Sequence, residues 1–122
     1  MEFEDIIRKR TSVRKFSNKK LEQKVLNKIL EAGRLAPTAK NNQQIKIYVV
    51  NSNEGIEKID KASRCRYGAQ TVLIVCGNKD EAYHKGNYTT YEMDSCIEWI
   101  NTGFINAIRI QSRGLSNESI TR

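Results

Sequence analysis

The spacing of apolar and polar positions divides the chain into six regular segments. Glu2 to Arg10 sets Phe3, Ile6 and Ile7 on one face and predicts a short amphipathic helix. The "TSVRKFS" that follows is too short and too charged for a core strand and reads as an ordered connection. From Leu21 the period is helical again, through Val25, Ile29, Ala32 and Leu35. Ser17 or Asn18 is the expected cap of that helix, and Pro37 ends it, because the residue before a proline avoids the helical region. "IKIYVV", Ile45 to Val50, is a β-branched run of strand length, and Ser52 or Asn53 opens a short helix through Ile56 and Ile59. "TVLIVC", Thr71 to Cys76, is a second strand; its unbroken apolar character predicts cover on both faces.

"GNKDEAYHKGNYTTYE" has no clear period and reads as a loop or a short irregular helix. Asp94 then begins a long helical pattern with Ile97, Ile100, Phe104 and Ile108 on one stripe, Asn101 and Ile105 beside it, and Gly114 as its stop. "LSNESITR" at the end shows no pattern. The order helix, helix, strand, helix, strand, helix predicts an α+β or α/β layered domain. Two strands make a poor sheet, so more must be supplied from elsewhere, a second chain being one source. The apolar stripe from Ile97 to Ile108 also needs cover, for which an interface between two chains is the expected solution.

Composition narrows the class. With 122 residues, 39% of them apolar, and one proline, the chain reads as a single folded domain over 1–122. Cys65, Cys76 and Cys96 are odd in number and lack metal-binding spacing, so they read as small buried residues, Cys76 most clearly. No metal site is expected. No apolar run approaches the roughly 20 residues of a membrane-spanning helix, and the opening "MEFEDIIRKR" lacks a signal-peptide core. A cytoplasmic protein without a membrane partner is the expectation.

Charge changes the picture more. Lys and Arg number 21 against 14 Asp and Glu, and Arg8 to Lys20, "RKRTSVRKFSNKK", holds seven basic residues and no acidic one. The net charge of +7 therefore resides in that stretch. Arg10, Ser12 and Arg14 stand at alternate positions within it, so that two guanidinium forks and a hydroxyl could meet one anion. On spacing alone, solvated surface charge is the commoner outcome. A second polar cluster, "LAPTAKNNQQ", carries the hydroxyl of Thr38 and the amides of Asn41, Asn42 and Gln43, whose mixed donors and acceptors suit a heterocycle edge or a polyol chain. By itself it is an ordinary polar loop. Tyr83, Tyr88 and Tyr91 either line an opening or pack at the core edge, and lone His84 reads as a surface residue.

Taken together, the two stretches resemble the N-terminal part of the nitroreductase family of flavin enzymes. An opening helix is followed by R-x-S-x-R-x-F (Arg10, Ser12, Arg14, Phe16), and a second helix ends in A-P-[ST]-x-x-N-x-Q (Ala36, Pro37, Thr38, Asn41, Gln43). "TVLIVCGN" is similar to the family's second apolar strand and "YEMDSCI" to the start of its long central helix. The resemblance implies an α/β/α layered sheet with a long central helix, and FMN held noncovalently in an intertwined homodimer. It implies that Arg10, Ser12 and Arg14 hold the FMN phosphate and ribityl region. Pro37, Thr38, Ala39 and Asn41 would approach the flavin from the partner subunit, with Gln43 beside them. NAD(P)H would reduce the flavin, and a nitroaromatic, quinone or similar small acceptor would take the electrons in a second step; no catalytic acid or base is implied.

Two departures stand out. Gln44-Ile45 occupies the place where the family often has Pro-Trp, and "RGLSNESITR" matches only faintly the Gly-Leu-Gly-type turn that relatives follow with further strands. The domain is therefore expected to be incomplete and shortened at its C-terminus. The competing expectation is a truncated non-catalytic remnant, or a small basic binding module without flavin. A nucleic-acid role is not expected, since no helix-turn-helix, zinc-finger spacing or aromatic platform accompanies the basic residues.

Overall fold

The structure, a computed structural model, describes residues 2–100. Helix α1 (Phe3–Lys9) and helix α2 (Gln23–Arg34) are followed by a 3-10 turn (Ala39–Asn41), strand β1 (Ile45–Val50) and helix α3 (Asn53–Ala62). Strand β2 (Val72–Gly77), a hairpin of β3 (His84–Lys85) and β4 (Tyr88–Thr89), and a helix α4 over 91–100 complete the described chain. The expected Asn101, Phe104, Ile105, Ile108 and Gly114 of the long helix lie outside the described residues.

The mixed α/β architecture is the one expected. β1 and β2 pair antiparallel in the register Ile45↔Gly77 to Val50↔Val72, and β3 and β4 form a separate antiparallel pair. Because side chains alternate along a strand, Ile47, Val49, Leu73 and Val75 share one half-buried face, while Lys46, Tyr48, Ile74 and Cys76 share the other. That second face is open in this chain, with Tyr48 48% and Ile74 37% exposed. The expected cover on both faces of β2 is thus absent among the described residues. Cys76 falls on the open side, opposite Lys46, and Cys65 and Cys96 are exposed as well, so the reading of the cysteines as buried is corrected.

Helix α2 also begins later than expected. Its N-cap is Glu22, in extended backbone and without a side-chain cap bond. Ser17 instead accepts the Lys19 N–H at 3.4 Å, a local turn that competes with helix formation. At the other end the Ala36 N–H reaches Gly33 O at 2.9 Å, and Pro37 lies just beyond. The α3 cap is Ser52, whose hydroxyl accepts the Gly55 N–H at 3.1 Å. The stretch expected to be a loop or irregular helix contains the β3–β4 hairpin, turned by Gly86 at φ +61°.

Burial is unusual in its chemistry. Ile6, Leu26, Ile29 and Ala82 are the buried apolar side chains among the described residues, and Gln44, Thr90, Asp94 and Glu98 are buried beside them as polar ones. Helix α4 accounts for this. Its inward stripe is Asp94, Ser95 and Glu98, whereas Met93, Cys96, Ile97, Trp99 and Ile100 face outward. The helix lies tight against the end of β2, where a Cβ added at Gly77 would sit 2.8 Å from Tyr91 O. An open, largely apolar hollow of about 370 Å³ runs between that strand and helix, lined by Leu73, Ile74, Val75, Ser95, Cys96 and Trp99. No helix among the described residues is long and apolar enough to cross a membrane.

Candidate functional site

The basic segment leaves α1 at Arg10, whose backbone N–H still bonds Ile6 O at 3.0 Å while its ψ of 129° takes the chain out of the helix. It runs without regular structure to Phe16, whose N–H donates to Tyr67 O at 3.1 Å. The receiving turn is itself fixed. The Arg66 guanidinium donates to both Asp60 oxygens at 2.6 and 2.7 Å and to Ala69 O at 2.8 Å. That ion-paired hydrogen bond also holds the Asp60 carboxyl below its usual range. Within the segment Arg8 is engaged by Glu4 one helical turn away. Arg10, Ser12 and Arg14 are exposed, and their side chains make no hydrogen bond or ion pair with another described residue.

The second cluster is a built bend. Thr38 O accepts the Asn41 N–H at 2.9 Å, Ala39 O accepts the Asn42 N–H at 3.3 Å, and Thr38 Oγ1 accepts the Gln43 N–H at 2.9 Å. The side chains of Gln43 and Asn41 meet at 3.2 Å, and Asn42 Nδ2 ties the bend to Glu81 O at 3.0 Å. Lys40, Asn41 and Gln43 all have φ between 53° and 55°. Asparagine tolerates this region, but lysine and glutamine adopt it at a cost, and such residues concentrate where function requires a particular backbone shape. The flanking hairpin packs alongside: the Lys40 ammonium stands 4.8 Å from the centre of the half-buried Tyr83 ring. Tyr88 is exposed and donates to Met93 Sδ at 3.7 Å, while exposed His84 bonds Lys79 O at 2.9 Å. Tyr91 donates to Glu92 at 2.8 Å, and that hydrogen bond raises its phenol above the usual value.

What holds the bend is a residue that the sequence reading passed over except as a helix start. Asp94, 4% exposed, accepts the Ala39 N–H at 3.1 Å on Oδ1, and Gln44 Nε2 at 2.6 Å and the Thr90 hydroxyl at 2.9 Å on Oδ2. Gln44, which marked a departure from the resemblance, is also gripped through its backbone, its carbonyl accepting the Asn78 N–H at 3.0 Å. A partner fifty residues away leaves no local signal in a sequence. The fold therefore gathers Thr38, Ala39, Asn41 and Gln43 into one bend, with Pro37 leading into it. No hydrogen bond or ion pair among the described residues joins that bend to Arg10, Ser12 or Arg14.

The Nitroreductase family model matches residues 7–72, more than half of the chain and a span that contains all eight of these residues. A nitroreductase family protein from Clostridium difficile 630 superimposes with a TM-score of 0.84 at 29% identity, over 89% of this chain and 64% of its own. One from Clostridium novyi NT gives 0.80 at 24% identity, over 89% and 65%. A nitroreductase with bound FMN from Bacteroides fragilis NCTC 9343 gives 0.76 at 18% identity, over 99% and 84%, a likeness of fold. The chain thus spans a little under two thirds of the length of the two clostridial proteins. Nothing among the curated proteins matches it.

Proposed function

Since the chain belongs to the Nitroreductase family, we propose that it acts as an FMN-dependent oxidoreductase and that the 37–43 bend is part of its flavin site. The observation that carries this reading is the bend itself. Three non-glycine residues are held in left-handed backbone at the place where the family motif falls, with the amides of Asn41 and Gln43 exposed. The residues present suit the cofactor. Arg10 and Arg14 offer charged donors, unpaired among the described residues, for a phosphate and Ser12 a hydroxyl for the ribityl region. Pro37, Thr38, Ala39, Asn41 and Gln43 present a shaped polar edge for the ring system.

When bound, FMN would supply the electron chemistry between NAD(P)H and a nitroaromatic, quinone or similar small acceptor, with Arg10, Ser12 and Arg14 and the 37–43 bend as the groups that would hold it. The protein's own contribution is to bind, orient and shield. Asp94 and Thr38 fix the bend, and Tyr83 with Lys40 walls its flank. A homodimer belongs to the same proposal. Met93, Ile97 and Ile100 are 53%, 38% and 48% exposed along one face of α4, and a second subunit would cover that face and bring its bend to the first subunit's arginines.

The test is FMN titration of the purified protein followed by flavin fluorescence and visible absorbance. Wild-type protein is expected to quench FMN, and Arg14→Ala to weaken binding about 10- to 100-fold, the worth of a hydrogen bond to a charged group. Bound flavin should bleach when NADH or NADPH is added without oxygen. A colourless protein that never quenches FMN refutes the proposal.

A further inference from the structure

We propose that Asp94 is a positioning residue of this site: its carboxylate anchors the 38–44 bend and so sets how tightly the chain holds FMN. The inference rests on the flavin reading above but assigns a role to a residue outside the eight placed against the cofactor there.

All three groups that meet Asp94 are donors: a backbone N–H, a side-chain amide and a hydroxyl. A carboxylate is the side chain that accepts throughout, and no Lys or Arg among the described residues is paired with it. The carboxylate therefore bridges the start of α4 to both ends of the bend, at Ala39 and at Gln44. Between those two points lie the left-handed Lys40, Asn41 and Gln43. Without the two anchors that backbone keeps the local bonds from Thr38 and Ala39, the Asn42 tie to Glu81 O and the Gln44 carbonyl's bond from the Asn78 N–H. The Ala39 end is released, however, and Lys40 and Gln43 gain by relaxing out of left-handed backbone.

The geometry also says which substitution should be tolerated. Asparagine keeps one acceptor for the Ala39 N–H but turns an NH2 toward Gln44. Gln44 can answer by rotating its amide, because its Oε1 is buried and has no hydrogen-bond partner among the described residues. The Thr90 hydroxyl can likewise accept instead of donate. Leucine fills the space and provides no acceptor at all.

The experiment compares wild type, Asp94→Asn, Asp94→Leu and a destabilised control remote from the bend, Ile29→Val. Three quantities are read on each full chain: hydrogen–deuterium exchange at the Ala39 amide, FMN dissociation constant by fluorescence quenching, and melting temperature without FMN. Asp94→Leu is expected to speed Ala39 exchange and to weaken FMN by about tenfold or more, Asp94→Asn to restore both to within roughly threefold of wild type, and Ile29→Val to lower the melting temperature while leaving both alone. If Asp94→Leu does not fold, Asp94→Ser takes its place, since a shorter hydroxyl can satisfy at most one of the three donors. Unchanged Ala39 exchange in Asp94→Leu, or an affinity loss no larger than in Ile29→Val, overturns the role of Asp94 while the flavin reading stands. Wild-type protein that binds no FMN overturns the flavin reading, and the claim about affinity falls with it, whatever the exchange shows.

Discussion

Replacing Gly77 with alanine asks how closely α4 must approach the end of β2. A Cβ there would lie 2.6 Å from Ser95 Oγ and 2.8 Å from Tyr91 O, where ordinary contact begins at 3.4 Å. The serine can swing aside only by giving up its 2.7 Å bond to Tyr91 O. The carbonyl belongs to the helix backbone and cannot swing, so strand and helix must part by roughly 0.6 Å. Overpacking of this kind costs about 1–3 kcal/mol, or on the order of 4–12 °C in melting temperature for a domain of this size. Gly55→Ala is the matched comparison. Its Cβ would meet Val50 Cγ1 at 2.7 Å and Ser52 Oγ at 3.0 Å, both side-chain atoms, and alanine improves helix propensity by about 0.8–1 kcal/mol. Thermal melts of the two variants should therefore separate, with Gly77→Ala the lower. If Gly77→Ala melts within about 1 °C of wild type, or Gly55→Ala falls equally far, the close approach has no energetic weight and the reasoning fails.

Three further outcomes follow from burial and capping. Ile29→Ala empties the most buried apolar side chain among the described residues, 1% exposed, and should cost about 2–5 kcal/mol in denaturant unfolding; a loss under about 1 kcal/mol would mean the site collapses freely. Ser52→Ala removes the α3 cap and should cost about 1 kcal/mol, whereas Ser52→Gly should cost only a few tenths; equal losses would show that the hydroxyl bond is not what matters. Burial raises the Glu98 carboxyl above its ordinary value. The folded state then binds more protons than the unfolded one between the ordinary and the raised values, so stability falls as pH climbs through that window and stays lower above it. Melts of Glu98→Gln and wild type should coincide below the ordinary glutamate value and diverge above it, the variant being the more stable; a gap independent of pH contradicts the assignment.

The local elements were legible because their signals are local. "IKIYVV" has the bounds of β1, and Ser52 lies where a cap should. Ser17 and Asn18 do not cap α2 because a cap residue is also a turn residue, and Lys19, Lys20, Leu21 and Glu22 pass before the helix begins. The hairpin carries only a faint signal: Gly86-Asn87 between two short polar runs is a two-residue hairpin turn, but no apolar alternation marks its strands. The exposed cysteines show the limit of reading apolar character as burial, since which face of β2 is covered is decided by what packs on it. At the site, the motif residues were readable from the family pattern. The three left-handed backbones and the grip of Asp94 were not, because no spacing rule links residue 39 to residue 94.

Asp94 takes hold of position 39 by its main-chain N–H and not by its methyl group. Nineteen of the twenty amino acids offer that same handle, and proline alone lacks it. The protein can thus vary what residue 39 presents to its surroundings without loosening the tether beneath, and in the proposed flavin site this position would be the place to alter ligand preference while the scaffold stays as it is.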